Sequence, residues 1–255
     1  MKDPILWMHC TSPELGELAK KNAVVLIPVG AVEQHGPHMA VGCDSFVAEW
    51  LAKRTARSLE EQGIPAVVAP TLTVANSLHH MNFPGTISLR PATYMMVLQE
   101  WCRCIAAHGF RRIVIANGHG GNRAPTNAAL VEINLELGFP VYFADLTVAL
   151  KPTVGLESEK SILHSGEGET SLILAYDETL VDPVYRETTG QKVPAPAAER
   201  AGLAATFHRM ETKTTNGVSG NCSLATREKG EVLADAAVKR LVEVLTDEAL
   251  WAQPV

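Results

Sequence analysis

The chain has 255 residues, of which 46% are hydrophobic and 20% are charged, an ordinary composition for a globular protein. Its net charge of −6 argues against a nucleic-acid partner, and no apolar run has the length of a membrane span. The first residues lead into folded-type sequence without a secretory apolar segment. Five cysteines, an odd number, are typical of reduced thiols, so we predict a cytoplasmic protein. From the charge and the lack of a long apolar run we expect neither nucleic-acid nor membrane partners.

Helix and strand signals alternate along the chain. Proline near a first turn, apolar periodicity and glycine after a last turn mark the helices, and short β-branched runs mark the strands. The predicted elements are a helix that starts at Thr11–Glu14, strand 24–29, helix 45–61, strand 66–69, helix 91–108, strand 112–116, helix 123–137, strand 141–143 and helix 228–248. This order is typical of an α/β fold with a central, mostly parallel sheet flanked by helices.

The pattern weakens between residues 182 and 218, where prolines, threonines and glycine indicate a long ordered excursion or a lid. The chain has no internal repeat and no good linker. At this length one core can bury roughly three quarters of the unfolded surface. We therefore predict a single domain, residues 1–255.

A first polar cluster follows the apolar strand 24–29. Glu33, His35 and Asp44 combine carboxylate oxygens with an imidazole, a set suited to Zn²⁺ or Mn²⁺. The end of a core strand is also where open α/β sheets place their chemistry. A polar loop with a capping aspartate would explain any one of these residues alone.

A second cluster follows strand 112–116, where His119 stands among three glycines in the segment Asn117–Asn122. Glycines let a backbone turn sharply and approach a ligand closely. A glycine-rich turn with a surface histidine is the simpler alternative. Because parallel strands end at one sheet edge, however, His119 is expected to converge on Glu33, His35 and Asp44.

A third cluster, His164–Ser171, precedes an apolar run and is typical of a helix start with acidic residues near its positive end. Such a helix start explains Glu167 or Glu169 but not His164. We interpret His164 as a candidate proton carrier and one of the two glutamates as a metal ligand.

With these motifs the chain resembles the creatininase (creatinine amidohydrolase) family over almost its whole length. Six segments carry the resemblance in the right order: Pro28–His38, Asp44, His80 with Phe83–Thr86, Asn117–Asn122, His164–Ser171 and Ala225–Gly230. The resemblance implies an α/β fold, frequent hexamers and a site with two divalent ions, Zn²⁺ and/or Mn²⁺ with Fe²⁺ as a further option. We accordingly expect a homo-oligomer.

The resemblance also implies the roles of individual residues. The matching metal positions are Glu33, His35, Asp44 and His119, with Asp44 bridging the ions and His164 in acid–base chemistry. Glu169 matches a shared glutamate of the family, whereas Glu167 stands at a more variable position, so Glu169 is the favoured ligand. The expected substrate-binding residues are Ser77, His80 and Gly120.

Three nearby side chains have simpler alternative interpretations. His80 could be an internally hydrogen-bonded histidine with His79 at the surface. For Cys43, next to Asp44, a structural role is favoured over contact with a metal. His38 is expected near the metals without binding them.

The chain also departs from the family pattern. Creatinine-hydrolysing members carry a tyrosine and a metal-binding glutamate directly after the histidine of the third motif, where this chain has Gly120 and Gly121. Their aromatic and acidic lid segment corresponds here to Glu159–Leu163, and no tryptophan lies between Trp101 and Trp251. A planar, cation-like substrate would lack a stacking surface, so creatinine is not the expected substrate.

We therefore predict a metal-dependent hydrolase that opens an amide or cyclic amide C–N bond of a small molecule through a metal-activated water. One alternative keeps the metal site but belongs to a branch that acts on a cyclic ketone, a formamide or a peptide, as in sugar or inositol breakdown, deformylation or peptide processing. The other is a non-catalytic protein on the same scaffold, which the complete set of candidate ligands disfavours.

Overall fold

The structure is a computed structural model that describes residues 2–150, 155–190 and 206–255. The described residues form one four-stranded sheet with the order β2-β1-β3-β4, and all neighbouring strands are parallel. Its strands are β1 (Val24–Val29), β2 (Ala66–Val68), β3 (Arg112–Asn117) and β4 (Val141–Asp145). The predicted α/β fold with a parallel sheet is confirmed.

The strands of the sheet centre are buried on both faces. Along β1, Val24 and Leu26 belong to one hydrophobic core, whereas Val25 and Ile27 belong to the other. Strands covered on both faces are apolar at every position, because neither face meets water. This explains why β1 is an unbroken apolar run in the sequence.

Helices cover the two faces of the sheet. Side chains of α2, α6 and α7 contribute to one core, and those of α3 and α4 contribute to the other. The helices are α1 (Ser12–Lys20), α2 (Cys43–Glu61), α3 (Pro91–Ala107), α4 (Arg123–Leu137), α5 (Leu146–Ala149), α6 (Glu167–Asp177), α7 (Arg227–Leu245) and α8 (Glu248–Trp251). None of the helices in the described ranges is both long and apolar enough to cross a bilayer.

Two predictions of element bounds need correction. Helix α2 begins at Cys43 rather than at residue 45, so Asp44 lies in its first turn. The predicted final helix, 228–248, is two helices, α7 and α8, with Asp247 capping the second. The excursion predicted at 182–218 contains the short 3₁₀ segments Pro183–Glu187 and Met210–Thr212, and its residues 191–205 lie outside the described ranges.

The strand order places the carboxyl ends of β1 and β3 side by side at the centre of the sheet. The chain leaves β1 towards α2 on one face and leaves β3 towards α4 on the other. Connections that diverge in this way open a crevice at the strand ends, which is where open α/β sheets bind their ligands.

Candidate metal centre

Three of the predicted ligands reach the crevice from β1 and α2. Glu33 and His35 follow the end of β1, and Asp44 projects from the first turn of α2. That turn lies against the loop after β3, because a Cβ added at Gly118 would stand 2.6 Å from the Asp44 carbonyl oxygen. Glycine at 118 therefore permits the close approach that joins the first two polar clusters.

Two buried asparagines hold the loop that carries His119. Asn117 Nδ2 donates to the His119 carbonyl at 2.7 Å. Asn122 Nδ2 donates to Asn117 Oδ1 at 3.1 Å and to the Gly30 carbonyl at 2.9 Å. These bonds tie the glycine-rich loop to the end of β1 and fix His119 beside Glu33.

Asp44 stands between two imidazoles. Its Oδ1 lies 3.3 Å from His35 Nε2, and its Oδ2 lies 2.9 Å from His119 Nδ1. The other nitrogen of His119, Nε2, lies 3.3 Å from Glu33 Oε2. The structure thus brings together Glu33, His35, Asp44 and His119, four residues from two separate segments of the sequence.

The donor atoms of this cluster suit a cation. His35 Nδ1 lies 3.1 Å from the Glu33 carbonyl oxygen, to which it can donate, and this leaves the lone pair of Nε2 facing Asp44. Glu33 Oε2, His35 Nε2 and Asp44 Oδ2 are buried and make no hydrogen bond of good geometry with the described residues. Buried atoms of this kind are costly unless an ion or a proton satisfies them.

The pKa shifts reflect the same crowding. Burial raises the pKa of Glu33, and neighbouring Asp44 adds to the rise. Burial would lower the pKa of His119, but Glu33 and Asp44 outweigh it and raise the pKa to about 9. Burial would raise the pKa of Asp44, yet His35 and His119 hold it well below its usual range. Glu33 and His119 therefore hold their protons more firmly than free side chains do.

The two glutamates of the third cluster point in different directions. Glu169 Oε2 lies 3.5 Å from His35 Nε2 and accepts a hydrogen bond from the Ser165 amide at 2.7 Å. Glu167 is fully buried and accepts from Lys229 Nζ at 2.7 Å, away from the cluster. Of the two carboxylates, only that of Glu169 faces His35.

His164 and His80 meet at Gln34. Gln34 Nε2 donates to His80 Nδ1 at 2.8 Å and to His164 Nε2 at 2.9 Å, while its Oε1 accepts from the Gly36 amide. His164 Nδ1 lies 3.4 Å from Glu33 Oε1. Burial and the nearby His35 and His80 lower the pKa of His164 well below its usual value. In a neutral His164 the lone pair is on Nε2, which accepts from Gln34, so the ring takes up a proton only when that hydrogen bond is exchanged.

A cavity of about 210 Å³ opens over these residues. Gly120 and His80 line it, as do four residues without a predicted role: Arg123, Thr147, Ile162 and Met210. Ser77 is not among the described residues of its wall, since it is fully buried with Oγ 3.3 Å from His119 Nε2. Ser77 therefore contacts the cluster from behind His119.

The neighbouring thiol and imidazole lie against the cluster. Cys43 is close enough to His35 and Asp44 to share an ion with them, but burial raises the pKa of its thiol to about 12. A protonated thiol is a poor metal ligand. His38 is buried, with Nε2 3.0 Å from Thr170 Oγ1.

Sequence reasoning missed two residues of the site. The sequence assigned no role to Gln34, which stands between the candidate ligands Glu33 and His35. Its hydrogen-bond partners lie 46 and 130 residues away along the chain. His79 was considered only as one of two paired histidines that could be extra ligands or, in the alternative, lie at the surface; it is partly buried and its ring stacks on His119. Polar residues inside a dense motif are the one signal that could have drawn attention to both.

Comparison with known proteins agrees with this geometry. The sequence pattern of the creatininase family, described as creatinine amidohydrolase, matches residues 8–245. The chain belongs to the creatininase family. Members of this family are hydrolases, so the protein is a hydrolytic enzyme, and the predicted resemblance is confirmed.

Relatives within the creatininase family differ in their activities. The chain is 31% identical over 214 residues to the mycofactocin precursor peptide peptidase of Mycolicibacterium smegmatis, which covers 82% of this chain and 78% of the relative. It is 28% identical over 248 residues to the creatinine amidohydrolase of Pseudomonas putida, with 91% and 92% covered.

Solved structures share the fold. A crystal structure from Bacteroides fragilis matches with a TM-score of 0.85 and 25% identity over 100% of this chain and 99% of that one. A manganese form of creatininase matches with a TM-score of 0.77 and 27% identity over 96% and 98% of the chains. A zinc form of a creatininase variant is also similar. Both metals thus occur on this scaffold, and the donor set described above fits divalent metal ions.

Proposed function

We propose that this protein is a metal-dependent amidohydrolase that cleaves an amide C–N bond other than that of creatinine. The observation that carries the proposal is the convergence of Glu33, His35, Asp44 and His119, with buried atoms that lack hydrogen bonds, beside a neutral His164. Divalent ions, when bound there, lower the pKa of a water and polarise a substrate carbonyl.

The protein groups around the cluster have separate tasks in this proposal. Glu33, Asp44 and Glu169 would supply three of the four negative charges that balance two divalent ions, and Asp44 could serve both because its two oxygens face different histidines. His164 accepts a proton from the attacking water and passes it to the leaving nitrogen. Gln34 holds His164 against the cavity wall before this transfer and must release Nε2 for it.

The cavity wall supports an amide substrate that is not creatinine. Gly120 and Gly121 line the cavity, together with the aliphatic side chains of Ile162 and Met210, and no aromatic ring other than histidine lines it among the described residues. A volume of about 210 Å³ is below the roughly 300 Å³ at which sites for drug-sized ligands begin, so we infer that it admits the group next to the scissile bond. The similarity to a precursor peptide peptidase makes a peptide bond one candidate.

The test combines metal analysis with a substrate panel. Purified protein should contain one to two divalent ions per chain, lose activity on chelation and regain it with Zn²⁺ or Mn²⁺. The panel should include creatinine, another cyclic amide, short peptides, an N-formyl compound and a cyclic ketone. Active protein without any metal would contradict the metal-dependent mechanism.

The same panel separates the two chemical alternatives. Faster hydrolysis of a cyclic amide or a peptide than of creatinine supports the main proposal. Metal-dependent turnover of the cyclic ketone or the formamide alone would favour the other branch of the family. Protein that binds no metal and turns over none of these compounds would favour the non-catalytic alternative.

We also propose that the enzyme is a cytoplasmic homo-oligomer, as the family resemblance implies. All five cysteines are unpaired, which suits a reducing compartment. Exposed apolar side chains on α3 and α4, such as Met96 and Leu135, would favour association. Light scattering of the purified protein should give a multiple of 27.5 kDa.

A further inference from the structure

His79 lies beside the proposed metal site although it belongs to none of the predicted ligand positions. It stands on the short 3₁₀ segment Leu78–His80 and lines the cavity. Its ring stacks on that of His119 with a centroid distance of 5.6 Å and an angle of 17°. Donor atoms of Glu33, His79 and His119 all lie within 4.8 Å of one another. After small movements of these side chains, one ion would contact all three.

No hydrogen bond within the described residues satisfies the His79 ring, whose neighbours are the rings of His80 and His119. The ring is only partly buried and faces the cavity. Its donor atom lies close to those of Glu33 and His119. A cation at this place would therefore contact the ring directly.

Position 121, next to the rings of His79 and His119, carries no side chain. A Cβ at Gly121 would stand 2.4 Å from His119 Nε2, 2.6 Å from the Asn76 carbonyl oxygen and 2.9 Å from His79 Cε1. Glycine at position 121 supplies no ligand in this chain, and a side chain there would press on the backbone at residue 76. His119 and His79 are the imidazoles next to this position.

We propose that His79 is a direct ligand of the ion held by Glu33 and His119. This inference rests on the metal-dependent function proposed above. The ion would then have two imidazole ligands and carboxylate oxygen, whereas the ion at His35 and Glu169 would have one imidazole. Imidazole suits zinc and iron better than manganese, for which oxygen ligands are typical. His79 would therefore bias this subsite towards Zn²⁺ or Fe²⁺.

The test measures metal binding rather than turnover. His79→Gln and the control His108→Gln are prepared as metal-free full-length proteins and titrated with Zn²⁺ and Mn²⁺ against a chromophoric chelator. His108 is exposed at the end of α3, at the opposite edge of the sheet from the cluster. We expect His79→Gln to bind one of two Zn²⁺ ions at least about 10-fold more weakly, with a smaller loss for Mn²⁺.

A residue that only supports the ligands could also weaken binding, so ligation needs a direct readout. A crystal structure of the zinc-loaded wild-type protein should place a His79 nitrogen about 2.1 Å from one ion. A His79 nitrogen more than 3 Å from both ions would overturn the proposal, whatever the affinity of the variant. This measurement also decides the matter if His79→Gln does not fold.

The outcomes distinguish this inference from the proposed function. Wild-type protein that binds no divalent ion would contradict the metal-dependent mechanism itself. Wild-type and His79→Gln proteins that bind two ions with equal affinity would contradict the role of His79 alone.

Discussion

Glu167 and Lys229 form an ion pair, with Lys229 Nζ 2.7 Å from Glu167 Oε1, that does not include the candidate metal ligands. The same carboxylate accepts from the amides of Glu157 and Ser158, so it is fully satisfied by protein. Residues two apart on a helix do not share a face, and Glu169 accordingly points towards His35. One turn of α6 thus holds one glutamate for stability and one facing the site.

Substitutions of these two glutamates should therefore affect different properties, metal content for Glu169 and stability for Glu167. Glu169→Gln should lose one ion and most of the activity, because an amide oxygen does not supply the charge of a carboxylate. Glu167→Gln should keep the ions but lower the free energy of unfolding by about 1–3 kcal/mol. This is less than the loss of a fully buried ion pair, because Lys229 is 17% exposed and would still pair with Glu157. Metal analysis and urea denaturation of both variants check this, and metal loss in Glu167→Gln would reverse the assignment.

Asp44 should matter more for metal content than His35. Its two oxygens face His35 and His119 separately, so both ions would contact it, whereas His35 Nε2 faces only one side. Asp44→Asn is therefore expected to lose both ions and His35→Gln only one. Elemental analysis after gel filtration measures this directly. Equal metal retention in the two variants would show that Asp44 does not bridge.

His164 should act on the rate rather than on the metals. His164→Ala is expected to retain both ions and to slow turnover by about 10² to 10⁴-fold, the range of a lost general acid–base group. Metal content and kcat on the substrate identified by the panel are measured together. Loss of an ion in parallel with activity would make His164 a ligand instead.

His38 predicts a pH dependence of stability. Burial, aided by nearby His35, lowers the pKa of His38 to about 4 from 6.5. The unfolded chain therefore binds more protons between these values, and His38 reduces the free energy of unfolding as the pH falls from 6.5 to 4, by at most about 3 kcal/mol. Denaturant titrations of metal-free wild-type and His38→Gln proteins at several pH values should show a shrinking advantage of the wild type on acidification. A constant difference would refute it.

Gly230 should be essential for the contact between α6 and α7. A Cβ there would lie 1.9 Å from the Ser171 carbonyl oxygen, so Gly230→Ala should cost about 1–3 kcal/mol through forced separation of the helices. Gly16, within α1, has no atom within 4 Å of its would-be Cβ. Gly16→Ala should be neutral or stabilising by up to about 1 kcal/mol. Thermal unfolding of the pair provides the comparison, and equal effects would contradict the packing argument.

The sequence was most informative where a local pattern decides the structure. Strand β1 was predictable because burial on both faces leaves an unbroken apolar run, and α4 because Gly138 ends it with a left-handed cap. The start of α2 was placed two residues late, since Gly42 offers no capping side chain as a signal. Helix α5 was not predicted, because four residues give no periodicity.

Within the site, residue types could be predicted but not their mutual positions. Candidate ligands were recognisable because carboxylates and imidazoles followed strands that share one edge. The choice between Glu167 and Glu169 could not be made from periodicity, since it depends on where Lys229 lies in space. Gln34 and His79 derive their surroundings from segments far along the chain, and no local pattern records such contacts.

The candidate ligands come from segments far apart along the chain, and for this reason metal supply should also affect the lifetime of the protein. Glu33, His119 and Glu169 converge only after the sheet and α6 have assembled, so the unfolded chain offers no comparable site for an ion. Metal at 1,000 times its dissociation constant would then stabilise the native state by about 4 kcal/mol. We expect metal-starved cells to contain a larger unfolded fraction of this enzyme and to degrade it faster. Its abundance, and not only its turnover, would follow the free metal concentration.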